Sequence, residues 1–201
     1  MPGNLPSVLV GIILAVYWLR VLHLARKIWR NVGHTANVIP PGILGCITRA
    51  VWFPVVVLWI AIPLSVPFIA PPPGILRPVI VSPAVAWVGL AVALGAFTLT
   101  LICWKKMGSS WRMGVDPSEK TMLIVTGPFA RVRHPIYALS SVLMLATVAA
   151  EPAPAMIAVA VVHLVLLQLE ARREEKYLLG IHGAAYGEYC ARVGRFFPRF
   201  H

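Results

Sequence analysis

The chain has 201 residues, 59% of them hydrophobic and only 12% charged, with a mean hydropathy of +0.79. Soluble globular domains carry about 25% charged residues, so the composition excludes an ordinary soluble domain and points to a lipid bilayer. The formal net charge of +11 flanks apolar runs and does not form a basic helix with interleaved aromatics; this fits anionic headgroups and argues against nucleic acid.

Three scattered cysteines, Cys46, Cys103 and Cys190, form no CxxC pair. That spacing speaks against a disulfide framework or a metal site. The N-terminus lacks the positive region of a cleaved signal peptide, so the first apolar segment is expected to be a retained span.

Leu5 to Leu24 is free of charge until Arg20, long enough to cross a hydrocarbon layer of about 30 Å. Arg20, Arg26, Lys27 and Arg30 follow, then a polar stretch over 31–41. A second run, about 50–70, contains Pro54, Pro63 and Pro67. Membrane helices tolerate proline where neighbours re-satisfy the freed carbonyls, so a kinked span is expected, ended by the turn Pro71-Pro72-Pro73-Gly74. A third span covers about 83–104, followed by the longest polar segment, 105–134.

Two further apolar runs, 136–150 and 154–169, are separated by a turn at Glu151 and Pro152. The first is short for a straight crossing, so the pair reads as a helical hairpin. From Glu170 onward the chain is polar and aromatic, which predicts one interfacial helix and a tail. The expected fold class is all-α: a helical membrane bundle of about five spans, with a three-span scaffold (1–104) and a functional region (105–201).

Charge asymmetry orients that bundle. With the N-terminus outside, the cytoplasmic segments 20–49, 105–134 and 170–201 hold five, six and six Lys and Arg, 17 of the 18, leaving Arg77 outside. Positive residues favour the cytoplasmic side, which places 105–134 and the C-terminal region together there.

The organising stretch runs Leu123-Ile-Val-Thr-Gly-Pro-Phe-Ala-Arg-Val-Arg-His-Pro-Ile-Tyr137. Pro135 suits a first helical position, because its missing N–H would be unpaired there anyway. His134 then falls at the N-cap, and the free amides of such a helix start attract anions. After the last apolar run, Glu170 and Glu174 stand i, i+4 on one helix face, with Glu175, Arg172, Arg173 and Lys176 interleaved. Tyr186, Tyr189 and Arg192 repeat at three-residue spacing, so this helix is expected to present carboxylate, rings and guanidinium towards the loop.

Each signal also has a plainer meaning. A charge run after a span is usually a solvated helix face, interfacial tyrosines are usually belt residues, and Arg-His-Pro can simply punctuate a helix start. His163, inside a span, is a packed histidine or a buried relay. No GxGxxG after a strand, Walker loop, HExxH or GxSxG occurs.

In order and spacing, Leu-Ile-Val-Thr-Gly-Pro-Phe, Val-Arg-His-Pro-Ile-Tyr, Glu174-Glu175, Gly183, Tyr186, Tyr189, Val193 and Arg195…Pro198 resemble the isoprenylcysteine carboxyl methyltransferase family and its phospholipid-methyltransferase relatives. The resemblance covers roughly 105–198. It implies a methyltransferase using S-adenosylmethionine, bound on the cytoplasmic side, and a lipophilic acceptor reached from the bilayer, with no metal and no nucleic acid involved. It further implies that Thr121, Met122, Leu123 and Ile124 line the cofactor, that Phe129 forms an aromatic wall, that His134, Pro135, Ile136 and Tyr137 hold the methionine end, and that Glu174 takes a cationic or hydroxyl group. Arg133, Glu170, Arg173, Glu175, Tyr186 and Tyr189 are the candidates for substrate or catalytic roles.

The chain departs from the family pattern at Leu139, where glycine is common, at His182, where phenylalanine is usual, and at Glu170, where carboxyl methyltransferases carry an arginine. The last departure turns attention to acceptors other than a carboxylate: an amine, a thiol or another lipophilic group. Two other classes compete. An NADPH-dependent sterol-type reductase shares a similar C-terminal half, and a non-enzymatic membrane protein such as a small transporter would need more polar residues inside its spans.

Overall fold

A computed structural model describes residues 5–32, 42–65, 68–69, 72–114 and 122–199. Five α-helices carry the architecture: α1 (Leu5–Val32), α2 (Ile43–Ser65), α3 (Pro83–Met107), α4 (Pro135–Ala150) and α5 (Pro154–Arg192). Short 3-10 turns occur at Gly74–Leu76, Gly108–Ser110 and Gly127–Ala130. No β-strand occurs among the described residues; one isolated parallel bridge joins Val132 to Gly194.

Helices α1, α2, α3 and α5 are long and apolar enough to cross a bilayer, whereas α4 has 16 residues. At about 1.5 Å per residue α4 spans roughly 24 Å, short of a hydrocarbon layer of about 30 Å. These are the helices of an integral membrane protein, and their outer faces remain apolar. Leu19 on α1, Phe53 on α2, Val88 and Leu99 on α3 and Val165 on α5 are all exposed, as lipid-facing residues must be.

The inner faces follow helical periodicity. On α1 the buried residues Val10, Leu14, Tyr17, Val21, Ala25 and Ile28 recur at three- and four-residue intervals. That stripe continues past the apolar run, while Arg20, Arg26 and Arg30 point outward, so α1 extends to Val32 and does not stop near Leu24. The most extensive packing joins α3 to α4. There Ala86, Gly89, Ala93 and Ala96 are buried, and a Cβ at Gly89 would sit 2.8 Å from the Ala146 carbonyl oxygen. Small residues let membrane helices approach this closely.

Several polar groups in the bundle pair with one another. Trp59 Nε1 donates to Thr147 Oγ1 at 3.0 Å, and Ser7 Oγ reaches Glu151 Oε2 and the Ala150 carbonyl at 2.8 Å each. Ser140 Oγ and His163 Nε2 lie 3.0 Å apart.

Two further expectations change. The second helix begins at Ile43, seven residues before the predicted start, because Arg49 folds inward and its Nη2 donates to the Met113 carbonyl at 2.8 Å. Pro54 and Pro63 lie inside that helix; Pro67 and Pro71 fall outside the described residues. The last apolar run and the predicted interfacial helix are one element, α5. Between Leu169 and Leu179 the chain offers only helix formers and an i, i+3 ion pair, Arg173 Nη1 to Glu170 Oε1 at 3.2 Å, so nothing stops the helix. The interruption comes later, at Gly183, with φ 53° and ψ −126°.

Candidate functional site

Helix α5 has 39 residues, and about 20 suffice to cross a bilayer. Its second half therefore projects beyond the apolar part and carries Glu174 and Glu175 with it. The bend at Gly183 turns the last helical segment back, and the chain after it runs beside 131–134. Arg133 N donates to the Gly194 carbonyl at 2.8 Å and His134 N to the Arg195 carbonyl at 3.0 Å.

Glu175 is the knot between these segments. Arg133 places Nε at 3.0 Å and Nη2 at 2.9 Å from its Oε1, while Arg195 places Nε at 2.9 Å from Oε1 and Nη2 at 2.5 Å from Oε2. Arg133 Nη1 also donates to the carbonyls of Cys190 (3.1 Å) and Val193 (2.6 Å). Tyr189 Oη donates to the Phe129 carbonyl at 2.5 Å, fastening the 3-10 turn to the C-terminal helical segment.

His134 is the N-cap of α4, with Pro135 at the first helical position, as the sequence predicts. Its Nδ1 lies 3.5 Å from Glu174 Oε2 and its Nε2 3.3 Å from Glu175 Oε1. The Tyr137 ring stacks parallel to it, with centroids 5.3 Å apart. Burial alone would lower the imidazole pKa, but hydrogen bonding and charge from the two glutamates raise it above the ordinary value. Burial would likewise push the Glu175 carboxyl up; His134, Arg195 and Arg133 hold it well below the usual carboxylate range. Glu174 is also held low against its burial, by His134 and the charge of Arg112.

Two cavities flank this cluster. The outer one, about 510 Å³ of empty space including its mouth, is bordered by Met122, Leu123 and Ile124 on one side and by Leu178, Tyr186 and Tyr189 on the other. The inner one, about 750 Å³ on the same measure, reaches into the bundle between Tyr17, Trp52, Trp104, Trp111, Tyr137 and His163. Met107, Arg112, Phe129, Arg133, His134 and Glu174 border both.

The predicted positions sort between these cavities. Met122, Leu123 and Ile124 border the outer one with Tyr186 and Tyr189, while Pro135, Ile136 and Tyr137 border the inner one. Phe129, Arg133, His134 and Glu174 stand at their shared wall. Thr121 lies outside the described residues. Glu170 and Arg173 border neither cavity: Glu170 is 2% exposed and paired with Arg173. Glu175 borders neither; its carboxylate is taken up by Arg133 and Arg195. Arg192 is exposed, and the guanidinium that faces this cluster is that of Arg195.

Sequence reasoning missed Arg49, Trp18, Trp52, Trp104 and Trp111, which come from α1, α2, α3 and the turn after it. The one available signal was a positive charge, Arg49, placed within a helix-forming apolar stretch. Among the described residues no group of three or more His, Cys, Asp or Glu is placed to hold a metal ion.

The family model described as the isoprenylcysteine carboxyl methyltransferase (ICMT) family matches residues 87–180, from α3 through α4 into the projecting half of α5. The resemblance read from the sequence is thereby borne out over 105–180, while Gly183, Tyr186, Tyr189, Val193 and Arg195…Pro198 lie beyond the match. No curated protein and no solved structure shows a significant match.

Proposed function

With the family match as premise, we propose that the protein is an S-adenosylmethionine-dependent methyltransferase that binds its cofactor in the outer cavity and a lipophilic acceptor in the inner one. The observation that carries this reading is the shared wall: Phe129, Arg133, His134 and Glu174 border both spaces, so ligands on its two sides can touch.

The residues fit the group. Leu123, Ile124 and Tyr186 offer apolar and aromatic surface to a flat base, with Met122 beside them at the mouth. Glu174, held ionised, suits an ammonium or a ribose hydroxyl, and His134 beside Arg133 suits a carboxylate. Thr121 is assigned to the same loop by resemblance alone.

When bound, the cofactor supplies a sulfonium methyl, which an acceptor lone pair takes in an in-line displacement while the sulfur keeps the bonding electrons. The protein's part is positioning and exclusion of water. Arg133, Arg195 and Glu175 lock the C-terminal segment over the loop, and the stacked Tyr137 and His134 form a rigid floor. We assign Glu175, Tyr189 and Glu170 to holding this geometry, with Arg173 supporting Glu170. The region 105–201 forms the catalytic part, and the inner cavity additionally draws its walls from α1 and α2.

The test is calorimetric titration of the detergent-purified protein with S-adenosylmethionine and, separately, NADPH. Binding of S-adenosylmethionine that Glu174→Ala weakens at least tenfold is expected. Binding of NADPH alone would move the protein to the reductases, and binding of neither would overturn the enzymatic reading.

A further inference from the structure

We infer that the inner cavity is a specificity site for an acceptor whose buried part is a ring bearing hydrogen-bond-accepting oxygen, of the phenol or quinol class, and not a bare hydrocarbon chain. This rests on the methyltransferase reading for its role, though not for its chemistry.

Among the described residues, nine buried side-chain nitrogen or oxygen atoms have no hydrogen-bond partner in the protein. Six belong to residues that border this one cavity: Trp18, Arg49, Trp52, Trp104, His134 and His163. His134 Nε2 has Glu175 within 3.3 Å, which leaves five such atoms on residues that border the inner space. Native interiors leave few buried polar groups unpaired, so their concentration around one cavity asks for a partner from outside.

The donor set says what that partner is. Indole Nε1 and guanidinium Nε can only donate, so Trp18, Trp52, Trp104 and Arg49 together require acceptor atoms. Oxygen meets that need and an ammonium does not. The Arg49 guanidinium lies 5.4 Å from the Trp52 ring centroid and Glu174 borders the same space, so the preference for oxygen rests on the donor set and not on net charge. His163 Nε2 is engaged with Ser140, leaving Nδ1 to meet a hydroxyl. A saturated chain would keep all these groups dry and unpaired, at a cost in free energy. The walls complete the description: rings of Tyr17, Trp52, Trp104, Trp111 and Tyr137 border the space, and aromatic surfaces favour offset or edge-on packing against another flat ring.

The test compares 2-decylhydroquinone, decylbenzene and decylamine, presented to the purified full chain in matched micelles and followed by tryptophan fluorescence. Trp52→Phe and Trp104→Phe keep a ring and delete the N–H; two variants guard against one failing to fold. The hydroquinone is expected to bind at least tenfold more tightly than decylbenzene. Each variant should lose about five- to tenfold of the hydroquinone affinity and leave decylbenzene unchanged, as the loss of one buried hydrogen bond implies. Equal binding of hydroquinone and decylbenzene, tighter binding of decylamine, or equal losses for both ring probes in the variants would overturn the inference. Calorimetry with S-adenosylmethionine on the same samples separates the two claims. Cofactor binding without hydroquinone preference defeats the inference alone, while hydroquinone preference without cofactor binding defeats the methyltransferase reading and leaves the recognition site standing.

Discussion

Arg133 and Glu175 stand 42 positions apart and meet through two hydrogen bonds to one carboxylate oxygen, Nε at 3.0 Å and Nη2 at 2.9 Å. Their side chains are only 9% and 14% exposed. Removing one partner from such a pair leaves the other charge buried and unmatched, which costs about 3–5 kcal/mol. Glu175→Gln is therefore expected to lower the thermal unfolding midpoint in detergent and to weaken S-adenosylmethionine binding at least tenfold. An unchanged midpoint and unchanged affinity would show that the C-terminal segment is held by something else.

His134 sets a pH dependence. Its pKa is raised in the folded protein, so the stabilisation from its charge is complete below the ordinary imidazole value of about 6.5 and is lost as pH rises through the raised one. Glu175 acts at the other end: its depressed pKa gives stabilisation that is complete above the ordinary carboxylate value, about 4.3, and is lost only as pH falls further. The cluster should be most stable between these limits. The unfolding midpoint should fall on the alkaline side, and His134→Asn should flatten that limb; an alkaline limb that persists in the variant would assign it to another group.

Gly183 takes φ 53° and ψ −126° at the break in α5, and a Cβ there would meet no atom within 4 Å. Space is not the constraint; backbone conformation is, and a side chain in this region costs of order 1–3 kcal/mol. Gly183→Val should displace the segment carrying Tyr186 and Tyr189, so cofactor affinity should fall several-fold while Gly180→Ala, in regular helix, leaves it intact. Equal behaviour of the two variants would refute a special role for the bend.

Orientation is testable apart from chemistry. The distribution of 17 of 18 Lys and Arg leads us to place the cluster and the C-terminus in the cytoplasm with the N-terminus outside. A reporter that matures only in the cytoplasm should be active on the C-terminus, and one active only outside should be silent there. The reverse pattern would invert the topology and move the cofactor cavity to the wrong side for a cytoplasmic methyl donor.

Much of this protein is written in local sequence. Apolar runs of span length, proline-opened helices at Pro83, Pro135 and Pro154, and the N-cap at His134 all follow from periodicity and backbone chemistry, which act between near neighbours. Motif order also draws attention to Phe129, His134 and Glu174, which border both cavities, because the loop and the helix that carry them are each short-range features. What local pattern misjudged were ends: α1 and α5 run on past their apolar stretches, since packing on one face continues where mean hydropathy has already fallen.

Only the tertiary structure decided which charges are partners and which residues form the inner cavity. Nothing in the sequence pairs Glu175 with both Arg133 and Arg195, or distinguishes Glu170, tied to Arg173, from Glu174 four residues on. Nor does it announce that Trp18, Arg49, Trp52 and Trp104 surround one space. Each tryptophan alone reads as core or interface. They converge because α2 and α3 both pack against α1, and the unpaired donors they bring together are a property of that packing, not of any one segment.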